Sequence, residues 1–215
     1  MNLKAALFDF DGTLADTLPL AFRAFRSTFL HIDGRDVAIP ELLNMFGPSE
    51  DAILASHIRD KTRVAEAIEH YYDVYERDHA QYVARSADIA DMLGYLRGNG
   101  VKLGVVTGKS RRAYKLSSDA LAFSDYFDLV ISGDDVARPK PHPEGILHAL
   151  RRFGASNEEA IFVGDSNADM QAGTTAGVRT FGVKWLSVSQ SDVLEPAPEA
   201  IFADLPGFML MIRNL

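Results

Sequence analysis

The run Leu7-Phe8-Asp9-Phe10-Asp11-Gly12-Thr13-Leu14 sets two aspartates where a buried apolar stretch (Ala5, Ala6, Leu7, Phe8, Phe10) meets a glycine turn. Strand side chains alternate faces, but a turn at Gly12 lets Asp9 and Asp11 both reach the space above the strand's C-terminal end. In an open α/β sheet that is where ligands bind. A carboxylate pair there, with backbone N–H groups around Gly12-Thr13, suits a magnesium ion and a phosphate group. A strand followed by a plain polar Asp-Gly turn is the simpler alternative. Other segments decide between them.

Each later apolar stretch also ends in polar groups. Val105-Val106-Thr107-Gly108 offers a hydroxyl and an unencumbered N–H. Gly108-Lys109-Ser110 suggests a nucleotide-binding P-loop, but Leu103 stands where that loop needs its first glycine, so the motif fails. Taken alone, Thr107 reads as a helix N-cap. In Arg138-Pro139-Lys140-Pro141-His142 the flanking prolines restrict Lys140 to an extended backbone. That restriction suits an ammonium held against a phosphate. Arg138 is a less constrained second cation, and His142 reads as the start of a helix. Gly164-Asp165-Ser166-Asn167-Ala168-Asp169 adds two carboxylates near a further helix start. Four carboxylates above one sheet repel one another, and all-oxygen ligation of that kind favours Mg2+.

Apolar stretches at 5–10, 101–107, 129–132, 160–164 and 178–183, with a weaker one at 200–202, read as parallel strands. Helical spacing of Ile89, Met92, Leu93 and Leu96, and of Ile146, Leu147, Leu150 and Phe153, supplies crossovers. The fold class is therefore α/β, a Rossmann-like doubly wound parallel sheet. Residues 16–85 contain no convincing strand. Leu18, Phe22, Phe25 and Phe29 predict one helix there, capped by Asp16 or Thr17. A second is expected from Pro48 to about Ile58, and a third carries Val64, Ile68, Tyr71, Tyr72 and Tyr75. This predicts a small helical cap domain, 16–85, over a core of 1–15 and 86–215.

Composition sets limits. The 215 residues carry a formal charge of −8, which argues against a nucleic-acid or anionic-membrane footprint. With no cysteine, thiol catalysis, disulfides and cysteine zinc sites are excluded. No signal peptide precedes the first strand and no apolar run reaches membrane-spanning length, so a cytoplasmic location is expected.

The four segments, in this order, resemble the phosphatase branch of the haloacid dehalogenase superfamily. Asp9–Thr13 matches its first motif, Thr107 its second, Lys140 its third and Gly164–Asp169 its fourth. The helical insertion is similar to the cap of the subfamily containing phosphoglycolate phosphatase, β-phosphoglucomutase and pyrophosphatase-like hydrolases. The resemblance implies an aspartyl-phosphate route to hydrolysis of a small phosphorylated metabolite. Asp9 would attack phosphorus, and Asp11 would protonate the leaving alkoxide and then deprotonate water. Mg2+ would be held by Asp9, the Asp11 carbonyl and Asp165, with Asp169 as ligand or support. Lys140 and Thr107 would bind phosphate oxygens together with N–H groups at Gly12 and Gly108. The chain departs from many such phosphatases at Gly108, where asparagine is usual: Gly108 keeps its N–H but lacks the side-chain amide. Dehalogenase chemistry is disfavoured because Asp11 is present. The cap loop Phe46-Gly47-Pro48-Ser49-Glu50-Asp51 carries no base for a second phosphate, against a phosphosugar mutase. Phe46, Gly47 and Glu50 are the expected substrate contacts, with the two acids disfavouring an anionic leaving group. Inorganic pyrophosphatase chemistry and a receiver-like phospho-aspartate signalling module are the remaining alternatives.

Overall fold

The computed structural model describes residues 3–214. Six strands form one parallel sheet: β1 (Ala5–Phe8), β2 (Lys102–Val106), β3 (Leu129–Ile131), β4 (Ala160–Gly164), β5 (Arg179–Val183) and β6 (Ala200–Phe202). Their order, β3-β2-β1-β4-β5-β6, puts β1 at the centre, where the winding direction reverses. In register, Leu7 lies between Gly104 of β2 and Phe162 of β4. A crevice opens at such a reversal beyond the strands' carboxyl ends, so Asp9 is delivered to its floor.

Both faces of the sheet are covered, which explains why its strands read as unbroken apolar runs. Ala5 and Leu7 point into one core with Ile146 and Leu150 of α7 (Glu144–Phe153). Ala6 and Phe8 point into the other with Leu93 and Leu96 of α5 (Ala87–Gly98). All six expected strands are present. β1 ends two residues earlier than expected, because after Asp9 N–H reaches the Val163 carbonyl at 2.8 Å the chain turns. Leu14 and Ala15 then donate their N–H groups to the Phe10 carbonyl, at 2.9 and 3.1 Å.

Between β1 and α5 the chain is helical, as expected: α1 (Leu18–Asp33), α2 (Ile39–Leu43), α3 (Glu50–His57) and α4 (Val64–Tyr82). Phe25 of α1 packs on Tyr71 of α4 with ring centroids 4.6 Å apart. Burying each such ring contributes about 1.5–3 kcal/mol. Three local expectations are corrected. Thr17 occupies the N-cap position of α1, but its side chain makes no capping bond. Its hydroxyl is drawn instead to Asp11. Asp16 accepts from the Ser187 hydroxyl. α3 begins at Glu50 behind Ser49, so Pro48 lies outside it. The remaining helices are α6 (Arg111–Ala120), α8 (Asn167–Ala176) and α9 (Leu205–Arg213). Among the described residues, no helix is long and apolar enough to cross a membrane.

Candidate active site

Three carboxylates meet above the sheet. Asp9, Asp165 and Asp169 are buried, and one oxygen from each lies within 4.8 Å of the others. Asp9 Oδ1 accepts the Phe10 N–H at 2.7 Å and faces Lys140 Nζ at 2.9 Å. Asp165 accepts from the Thr13 hydroxyl at 3.1 Å and the Gln190 N–H at 2.7 Å. Asp169 is the most fully engaged. Its Oδ2 takes the Ser166 hydroxyl at 2.6 Å and the N–H groups of Asp165 and Ser166 at 3.2 and 3.0 Å. Its Oδ1 holds Lys140 Nζ at 2.5 Å.

Burial and the neighbouring Asp169 charge push the Asp9 carboxyl up to about 7, although Lys140 opposes this. Burial, then Asp169 and Asp9, hold Asp165 well above the usual carboxylate range. Burial disfavours the Lys140 ammonium, but Asp169 and Asp9 outweigh it and keep the lysine above its ordinary value. One ammonium cannot neutralise three carboxylates. The donor set, all oxygen and under-compensated, therefore fits a divalent cation. Gly12 permits the cluster: its φ is +78°, and a Cβ there would lie 2.3 Å from Asp165 Oδ2.

Asp11 faces away from this trio. Its carboxylate accepts from the Thr17 hydroxyl and from Lys109 Nζ, at 3.0 Å to Oδ1 and 3.3 Å to Oδ2. Lys109 Nζ also lies 3.3 Å from Glu50 Oε1 and 4.7 Å from the centre of the Tyr75 ring, with its side chain fully buried. Burial alone would lower its affinity for a proton, but Asp11, Tyr75 and Glu50 hold the ammonium well above its usual value. Burial raises Glu50, and Lys109 pulls the other way. Glu50 Oε2 also accepts the Ser110 N–H at 2.6 Å. The expectation of a free acid facing the leaving group is therefore corrected. Glu50 is 5% exposed and engaged through both oxygens, while Asp51 accepts from the Tyr72 hydroxyl at 2.6 Å.

Thr107 is not a helix cap, since Ser110 takes that part for α6. The Thr107 hydroxyl accepts the Lys109 N–H at 3.2 Å. The Gly12 N–H, expected to face phosphate, is already bonded to the Ala15 carbonyl at 3.0 Å. The Asp11 and Gly108 N–H groups have no acceptor among the described residues. Gly108 has its own reason to lack a side chain: a Cβ there would lie 2.8 Å from the Gly47 carbonyl oxygen. The loop before α3 thus rests directly on the loop after β2. Arg138 points outward and pairs with Glu144 at 3.4 Å. His142 precedes α7, its Nδ1 accepting the Glu144 N–H at 3.1 Å.

These groups surround a cavity of about 180 Å³. Asp9, Asp11, Thr107, Gly108 and Lys140 line its floor, and Phe46, Gly47 and Glu50 line its roof. Sequence reasoning missed Lys109, Thr17 and Gln190. Lys109 carries a signal, a lysine two residues after a strand-end threonine, but one that lies inside a P-loop pattern failing on spacing.

An open parallel sheet with buried carboxylates and a lysine at its central switch point defines a class of α/β hydrolase. Residues 6–183 match the haloacid dehalogenase-like hydrolase family, to which the chain belongs. It is 32% identical over 209 residues to the pyrophosphatase PpaX of Bacillus pumilus, covering 97% of this chain and 92% of that one. A structure described as a predicted phosphoglycolate phosphatase from Haemophilus somnus superposes with a TM-score of 0.84 at 20% identity, covering 99% of each chain. CbbY of Rhodobacter sphaeroides, solved with phosphate, gives a TM-score of 0.81 at 24% identity over 94% of this chain and 95% of that one. The chain is thus a hydrolytic enzyme, and the receiver-like reading falls away.

Proposed function

We propose that the chain is a Mg2+-dependent phosphatase that hydrolyses a small phosphomonoester through an aspartyl-phosphate on Asp9. The observation that carries this reading is the convergence of Asp9, Asp165, Asp169 and Lys140 in one buried cluster above β1. Asp9 Oδ attacks phosphorus as the ester P–O bond breaks, and the leaving alkoxide takes a proton from Asp11. Asp11 then removes a proton from water, which attacks the acyl phosphate and regenerates Asp9. Lys140 and the N–H groups of Asp11 and Gly108 hold the non-bridging oxygens, with the Thr107 hydroxyl beside them. Asp9, Asp165 and the Asp11 carbonyl would hold Mg2+, which when bound offsets repulsion between the attacking carboxylate and the phosphate dianion. Asp169, whose oxygens are engaged by Lys140 and the 165–166 loop, positions the lysine rather than the metal.

Residues 16–85 act as a cap domain over a core of residues 1–15 and 86–215, closing on the site through the 46–50 loop. Closure excludes water while the leaving group departs. The name of the Bacillus relative makes pyrophosphate the second reading of the substrate. Magnesium-dependent release of p-nitrophenol from p-nitrophenyl phosphate tests the proposal. Turnover should vanish on chelation and fall by several orders of magnitude in Asp9→Asn. Metal-independent turnover, or full activity in that variant, would remove it.

A further inference from the structure

The part of the cavity beyond Asp9, where a leaving group must sit, has an unusual division of chemistry. Its helical wall is apolar: Leu18, Ala21, Phe25, Leu43, Phe46 and Ile53. Phe25 and Phe46 meet with centroids 5.9 Å apart, and Phe46 stacks on Phe22 at 5.8 Å, so this wall is held in place by aromatic packing. Among the described residues, two cations line the cavity, Lys109 and Lys140. Lys140 belongs to the transferring phosphate, being paired with Asp9 and Asp169.

Among the described residues, Lys109 is the one cation on the leaving-group side, and it has nothing left to offer. An ammonium has three donors and no acceptor. Here it meets Asp11 at 3.0 Å, Glu50 at 3.3 Å and the face of Tyr75 at 4.7 Å. With Asp11 holding the proton it gives to the leaving group, the Glu50 carboxylate offsets the Lys109 ammonium and the Asp11–Lys109–Glu50 group carries no net positive charge. An incoming carboxylate or phosphate would lose hydration there without meeting an uncompensated cation. It would also have to displace Glu50, which is fixed at its other oxygen by the Ser110 N–H at 2.6 Å.

We infer that the leaving group is an uncharged alcohol with an apolar body seated against Phe25 and Phe46, and that the Lys109–Glu50 pair excludes leaving groups carrying a second anionic group. The inference rests on the phosphatase reading. It separates this chain from enzymes that split pyrophosphate, whose leaving group is itself a phosphate. An alkoxide formed against this wall is protonated by Asp11 and departs as a neutral alcohol, so no charge is stranded beside Phe46. Glu50 acts as a specificity-determining residue by occupying the cation an anionic leaving group would need.

The test compares kcat/KM with Mg2+ for n-propyl phosphate, 2-phosphoglycolate and pyrophosphate, with p-nitrophenyl phosphate as a control for hydrolysis as such. 2-Phosphoglycolate and propyl phosphate are close in size and differ chiefly by the carboxylate. The wild type should favour propyl phosphate over 2-phosphoglycolate by at least tenfold. Glu50→Gln, checked for folding by its melting curve, should narrow that ratio about tenfold by freeing Lys109. A wild type preferring 2-phosphoglycolate or pyrophosphate would overturn the inference while leaving the phosphatase reading intact, as would an unchanged ratio in a folded Glu50→Gln. Failure to hydrolyse even p-nitrophenyl phosphate would remove the phosphatase reading and this inference with it.

Discussion

Replacing Gly108 by alanine tests the proposed closure of residues 16–85 on the core. The added Cβ would stand 2.8 Å from the Gly47 carbonyl oxygen, closer than real Cβ atoms approach backbone oxygen. A backbone carbonyl cannot swing aside as the end of a flexible side chain can. The 46–50 loop must therefore lift by several tenths of an ångström. The strain falls on the closed arrangement, and overpacking of this kind costs about 1–3 kcal/mol. If that cost applies to closure alone, kcat/KM should fall roughly five- to 150-fold, at tenfold per about 1.4 kcal/mol. Lifting the loop also draws Glu50 from the Ser110 N–H and from Lys109. Initial rates with an alkyl phosphate give the loss in kcat/KM, and a parallel melting curve gives the loss in stability. A drop in activity with little change in melting temperature is expected, because the sheet and its two cores do not include this contact. Unchanged kcat/KM in Gly108→Ala would refute the claim that the 46–50 loop must rest on Gly108 for turnover.

Gly12→Ala combines a φ of +78° with a Cβ only 2.3 Å from Asp165 Oδ2, so it should abolish activity and any rise in melting temperature on adding Mg2+. Asp11→Asn should damage alkyl phosphates far more than p-nitrophenyl phosphate, whose phenolate leaves without a proton; equal losses would confine Asp11 to metal binding or folding. Without metal, the Asp9 carboxyl sits at about 7 against an ordinary 3.8, so the folded protein binds that proton more tightly than the unfolded chain. Its contribution to stability is then present below about pH 4 and lost as pH rises toward about 7. Mg2+ must displace the same proton, so the metal-induced gain in melting temperature should grow between about pH 5 and 8, and a gain that shrinks would contradict the carboxylate site.

Much of this was legible in the sequence because it is local. Strands β1, β2, β4 and β5 are buried and announce themselves as apolar runs, the edge strand β6 more weakly, and Asp9, Thr107 and Asp165 sit at strand ends by position in the chain. Lys140 is marked by its flanking prolines. What escaped depends on contacts between distant segments. The Lys109–Asp11 pair joins residues 98 apart in sequence, and nothing near Lys109 records that its partner lies in the first loop. Glu50 read as a free acid because its neutralising lysine comes from the other side of the cavity. Thr17 read as a helix cap because its pull toward Asp11 exists only once the β1 turn has formed. The Gly12 N–H read as free because the Ala15 carbonyl that takes it is placed by that same turn. Gly108 looked like a missing amide, whereas in three dimensions it is the space that admits Gly47.

The central claim is that phosphate passes through a covalent bond to Asp9. Mixing the enzyme with Mg2+ and a turned-over ester, quenching in acid within the first turnovers and mapping peptides by mass spectrometry tests it directly. The expected result is a phosphoryl group on the peptide containing Asp9, on that carboxylate, and none in Asp9→Asn. Phosphate on a serine, threonine, histidine or another aspartate, with turnover intact, would contradict the account.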